Sequence, residues 1–104
     1  MSMHRLFNLD GMVALITGSS RGIGLATAAS MAAHGASVVI NSRSDAALAA
    51  CRERLALDGL NVQSSAFDAF DAKAAVERVD QIVATMGQLD IVFLNAAIQE
   101  RFPL

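Results

Sequence analysis

The 104-residue chain has no tyrosine and no tryptophan, and it has one cysteine, one proline, one lysine and two histidines. The lone Cys51 excludes an intrachain disulfide. In "DAALAACRERLALDG" it shares a helical stripe with Leu48 and Leu55, which makes it a buried small hydrophobe rather than a reactive thiol. His4 and His34 lie far apart with no Cys or His at ligand spacing, so no metal site is expected. His4 is read as part of a tail. His34 is read as an exposed last-turn residue whose position suits a helix dipole. Charged residues amount to 17% and the net charge is -2. No basic patch is visible, which argues against nucleic acid or an anionic membrane surface as partner. No apolar run approaches the roughly 20 residues needed to span a bilayer. The opening "MSMHRLFNLDG" lacks a signal-peptide core and cleavage site, so a cytoplasmic location is expected.

What is present is apolar and periodic. Hydrophobic residues make up 54%, which argues against disorder, and the length suits one small domain spanning residues 1–104. Short apolar runs at 12–17 and 36–42 resemble strands buried on both faces. A third strand, at 61–67, is weaker because its centre is polar, and a fourth runs over 89–96. Between them lie helical segments at 22–34, ending before Gly35, and at 45–57, capped by Ser44 and stopped at Asp58-Gly59. A third helix follows Asp71 and ends at Gly87, with Ala75, Val76, Val79, Ile82, Val83 and Met86 on one face. The only proline is Pro103. This β-α-β-α-β-α-β alternation predicts an α/β fold with a parallel sheet and helices on both faces.

The first strand runs directly into "TGSSRGIG" at residues 17–24. A glycine-rich turn there sits where a strand's carboxyl end meets a helix N-terminus, whose free N–H groups and positive dipole end attract an anion. Gly18 allows the sharp turn, Gly22 leaves the backbone open to a pyrophosphate, and Gly24 permits close packing of helix and sheet. The spacing G-x-x-x-G-x-G differs from the common dinucleotide fingerprint, and no Lys-Ser/Thr follows, so it is not a P-loop either.

"TGSSRGIG" resembles the cofactor-binding T-G-x-x-x-G-I-G of the short-chain dehydrogenases/reductases. The resemblance extends to "LDGMVALITG", to "FDAFD" and to "LDIVFLNAAI". It implies a Rossmann-type sheet in the order 3-2-1-4, forming an incomplete doubly wound fold, with a cofactor bound by Gly18, Ser20, Arg21, Ile23, Gly22 and Gly24. It adds Asp68, with Phe67 before it, at the adenine ring, and Asn95, Ala96 and Ala97 beside the ribose. Leu94 and Ala97 depart from the family's N-N-A-G, while Asn95 and Ala96 match it. The end of the second strand reads "VVINSRS": Ser42 stands where an NAD-preferring relative carries Asp, Arg43 follows, and Arg21 lies in the glycine loop. Guanidinium groups suit a 2′-phosphate, so NADP is expected over NAD.

The family's general acid is a tyrosine with a lysine four residues on, and an upstream serine polarises the substrate. Here tyrosine is absent, and Lys73 reads as a solvated surface residue. Ser19, Ser20, Ser42, Ser64 and Ser65 have no His/Asp partners, so no catalytic residue is assigned. The resemblance therefore implies the cofactor-binding part of a truncated oxidoreductase that acts on an alcohol or carbonyl small molecule, inactive by itself. A non-catalytic nucleotide-binding module and a half-domain completed by a partner chain are the alternatives. The fourth strand would become a sheet edge, with ladder groups unpaired beside Ile91, Phe93 and Leu94. Self-association is the expected consequence.

Overall fold

The computed structural model describes residues 8–95. Seven elements alternate along them: β1 (Val13–Ile16), α1 (Gly22–Ala33), β2 (Ser37–Ser42), α2 (Asp45–Leu57), β3 (Gln63–Ala66), α3 (Ala72–Met86) and β4 (Ile91–Phe93). The strands form one sheet in the order β3-β2-β1-β4, as the family resemblance implied. Every pairing is parallel, with Val13 opposite Ser37, Val39 opposite Gln63 and Ala14 opposite Ile91. A parallel sheet puts all strand carboxyl ends along one edge, so the loops after β1, β2, β3 and β4 meet there.

Alternation along each strand divides the core into two layers. Ala14, Ile16, Val38 and Ile40 pack against Ala28 of α1 and Leu48, Cys51 and Leu55 of α2. Val13, Leu15 and Val39 face the other way, against Phe67 and Ile82, with Val79 and Met86 of α3 alongside. Both faces of β1 and of the centre of β2 are thus covered, which is why β1 is apolar throughout and β2 is apolar over Val38–Ile40, with its polar residues at the ends of the run. Cys51 is buried beside Leu48 and Leu55, as its stripe predicted.

The helix ends follow the expected chemistry, except at the first. Ser44 accepts from the Ala47 N–H at 3.1 Å and Asp71 from the Ala74 N–H at 3.1 Å, each satisfying an orphan donor of the first turn. Gly87 closes α3 in the left-handed conformation. His34 caps α1 and is half-buried rather than exposed; its Nδ1 lies 2.7 Å from the Ser30 carbonyl, which holds the ring against the helix end.

Two expectations change on folding. The strands are shorter than their apolar runs, since only part of each run finds a ladder partner. The apolar stripe of α3 is used only in part: Ile82 is buried with Ala75, Val79 and Met86 packed beside it, whereas Val76 is 61% and Val83 40% exposed. β4 is an edge strand among the described residues, as expected; on its β1 side the Phe93 carbonyl accepts from the Thr17 N–H at 3.0 Å. Val92, opposite Leu15 and so on the α3 side, remains 49% exposed.

Candidate functional site at the carboxyl edge of the sheet

The loop after β1 is held from below by buried polar groups. Ser19, fully buried, donates its hydroxyl to the Ile16 carbonyl at 2.7 Å and accepts from the Asn41 N–H at 2.8 Å. The Ser19 N–H in turn donates to the Asn41 carbonyl at 2.7 Å. Asn41 is 2% exposed, directly after the apolar Val38–Ile40 of β2. Its side-chain oxygen accepts from the Gly18 N–H at 3.1 Å. Its Nδ2 donates to the carbonyls of Ser65 at 3.0 Å and Phe67 at 3.1 Å. A buried amide with every group paired is a strong local constraint, because any one lost partner leaves a dry polar atom.

From the other side, Asn95 donates its Nδ2 to the Gly18 carbonyl at 3.0 Å, and its backbone N–H to Thr17 Oγ1 at 3.0 Å. From behind, Cys51 donates its thiol to the Ser20 carbonyl at 3.0 Å. The turn is therefore tied to β2, α2 and the end of β4 before any ligand enters. Among the described residues no buried side-chain nitrogen or oxygen lacks a partner.

The glycines occupy different positions within this frame. Gly22 has φ +63, and a Cβ built there would meet nothing within 4 Å: it faces open space at the start of α1. Gly24 is buried, and a Cβ there would lie 2.5 Å from the Gly18 carbonyl oxygen and 2.7 Å from Asn95 Nδ2. Gly24 thus lets α1 approach the turn and the end of β4, rather than the sheet strands as the sequence reading had it. The N-terminus of α1 has Arg21 as cap residue with no side-chain cap bond, and no acid in its first turn. Both other helices carry a capping oxygen there. An uncapped helix start beside open space suits an oxyanion.

Around it stand the other predicted residues. Arg21, Ile23 and Arg43 are exposed, and neither guanidinium has a partner among the described residues. Ser20 is half-buried. Ser42 Oγ accepts from the Ser44 N–H at 3.1 Å, which shapes the turn that carries Arg43. Phe67 is buried, with its side chain in the α3 layer and its N–H on the Ser42 carbonyl at 3.0 Å. Asp68 accepts from the Phe70 N–H at 2.9 Å, in a turn that leads to the Asp71 cap. Ala96 and Ala97 lie outside the described residues. Sequence reasoning missed Ser19, Asn41 and Thr17. The signal for Asn41 was available: an amide inside "VVINS" must find partners, and the turn of the neighbouring strand holds backbone groups to offer.

Among the described residues no group of three or more His, Cys, Asp or Glu could hold a metal, and no helix is long and apolar enough to cross a membrane. The model of the short chain dehydrogenase family matches residues 12–104. Gluconate 5-dehydrogenase of Gluconobacter oxydans is 42% identical over all of this chain and 41% of its own length. The structure of 2-keto-3-deoxy-D-gluconate dehydrogenase from Streptococcus agalactiae superposes with a TM-score of 0.87 at 35% identity, over 94% of this chain and 37% of that one. That of a 3-oxoacyl (acyl-carrier-protein) reductase from Agrobacterium tumefaciens, with NADP bound, gives 0.84 at 34% identity, over 100% and 40%. The chain thus spans about two fifths of the length of these relatives. With the glycine turn, the parallel order β3-β2-β1-β4 and the family match in agreement, this chain belongs to the short-chain dehydrogenase family.

Proposed function

We propose that residues 1–104 form the dinucleotide-binding part of an oxidoreductase that transfers a hydride between NADP(H) and an alcohol or carbonyl small molecule, working in the cytoplasm. The observation that carries this reading is the uncapped start of α1, with open space beside Gly22, an exposed Arg21 at the cap position and an exposed Arg43 just past the end of the neighbouring strand β2. When bound, NADP(H) would accept or supply the hydride. This chain's residues hold and orient it. The first-turn N–H groups of α1 meet the pyrophosphate. Arg21 and Arg43 meet the 2′-phosphate through charge-assisted bonds, and no carboxylate stands at Ser42 to repel it. Ser20 and Ile23 line the turn, Phe67 and Asp68 border the adenine, and Asn95, Ala96 and Ala97 border the ribose. A relative crystallised with NADP supports the cofactor's identity.

Titration of the purified chain with NADP and NAD tests this. NADP is expected to bind at least tenfold more tightly, the equivalent of about 1.4 kcal/mol. With no tyrosine available, NADPH oxidation by ketones is expected to stay at background. Absence of NADP binding, or equal affinity for both cofactors, would overturn the reading.

Self-association belongs to the same proposal. β4 presents an edge on which Val92 and Leu94 are 49% and 74% exposed, and such an edge recruits further chains. Light scattering is expected to show dimers or larger species. A protected monomer, with slow amide exchange through β4, would refute it.

A further inference from the structure

We propose that Asn41 is the positioning residue of this site: it sets the separation between the phosphate-side turn at Gly18 and the adenine-side turn where it leaves the end of β3, through Ser65 and Phe67. This rests on the nucleotide-binding reading above. The geometry is direct. One buried side chain bonds Gly18 through its oxygen, and Ser65 and Phe67 through its nitrogen. Its main chain holds Ser19 from both directions. The two turns arise from different strands, β1 and β3, which are not neighbours in the sheet. Among the described residues Asn41 is the side chain that hydrogen-bonds to both turns. Ser42 contributes only a backbone bond, to the Phe67 N–H. The amide is the only group of this shape that serves one donor and two acceptors at once. A carboxylate accepts but cannot donate, and a shorter hydroxyl cannot span the gap.

The consequence is selective. A ligand that spans both turns depends on their separation, whereas one that touches the adenine side alone does not. The test therefore compares NADP with adenosine 2′-monophosphate, which has no 5′-phosphate to reach the glycine turn. Calorimetric titrations use the whole chain, as parent, Asn41→Asp and Asn41→Ser. At about pH 8 the Asn41→Asp chain is expected to lose about tenfold or more in NADP affinity and less than about threefold in affinity for the monophosphate. At about pH 5 the deficit relative to the parent is expected to shrink. The new carboxyl is charged at high pH and opposes two carbonyl oxygens. Protonated at low pH, it donates to one of them, so the lost interaction returns as pH falls. Asn41→Ser is expected to show the same ligand selectivity with no such recovery. A role in stability alone would weaken both ligands by the same factor, and that result overturns the proposal. So does unchanged NADP affinity in a folded variant. If the parent binds neither ligand, the nucleotide reading fails and takes this inference with it. Should both variants fail to fold, amide exchange in the unchanged chain decides. NADP is expected to slow exchange at Gly18 and at the Asn41 side chain together, and the monophosphate to leave Gly18 unaltered. Independent responses of the two groups would overturn the proposal.

Discussion

Replacing Gly24 by alanine is expected to unsettle the whole carboxyl edge of the sheet, although alanine is the better helix former. In an exposed helix interior the exchange would stabilise by about 1 kcal/mol. At this position the added methyl would lie 2.5 Å from the Gly18 carbonyl oxygen and 2.7 Å from Asn95 Nδ2. The first is backbone and cannot swing aside. The second is the donor that ties the end of β4 to the same carbonyl. Either α1 moves out or the Gly18–Asn95 bond breaks. Overpacking of this kind costs ~1–3 kcal/mol, and the lost hydrogen bond adds ~1 kcal/mol. With the helix-propensity gain of about 1 kcal/mol set against these costs, a net loss of about 1–3 kcal/mol is expected, with nucleotide affinity falling at least tenfold. Gly22→Ala is the matched control. Its methyl would enter open space, so the fold pays only the positive φ, about 1–2 kcal/mol, while the approach to the helix start is blocked. Urea midpoints alongside NADP titrations separate the two. A Gly24→Ala chain as stable as its parent would show that the turn yields, contrary to its bonding.

Reversing the charge at Arg43 is expected to reverse cofactor preference. Arg43 stands just past β2, in a turn shaped by the Ser42–Ser44 hydrogen bond. Its guanidinium suits a phosphate dianion through charge-assisted bonds worth ~1.5–3 kcal/mol. Arg43→Asp removes them and offers a carboxylate able to accept from a ribose 2′-hydroxyl. Arg43 is exposed, so solvent and salt screen part of the effect. At low ionic strength NADP affinity is expected to fall about tenfold to a hundredfold while NAD affinity holds or rises, and the gap is expected to narrow as salt increases. Arg43→Asp with NADP affinity unchanged would place the 2′-phosphate elsewhere.

The site was legible where a residue acts through its own backbone or its position in a periodic run, and illegible where it acts through a distant partner. The turn at Gly18, the open Gly22 and the caps at Ser44 and Asp71 depend on a few consecutive residues, and all appear at their expected places. The buried stripe of Leu48, Cys51 and Leu55 likewise follows from a 3.6-residue period. Gly24 was identified, but its neighbour was not: the contact is with Asn95, far along the chain. Val76 and Val83 belong to the apolar stripe of α3 yet stay exposed, since a period says which side is apolar and not what lies opposite.

By itself, then, the sequence determined the alternation of elements, their caps, the apolar faces and the glycine turn, because each rests on interactions within one or two turns of chain. The tertiary structure decided what those pieces hold. It placed Asn41 between two turns from strands that are not adjacent, set Cys51 against the Ser20 carbonyl, and brought Asn95 onto Gly18. Those bonds join residues between 23 and 77 positions apart. They exist only once parallel pairing has lined up the strand ends, because a buried amide or thiol takes whatever partner the closed sheet brings within reach.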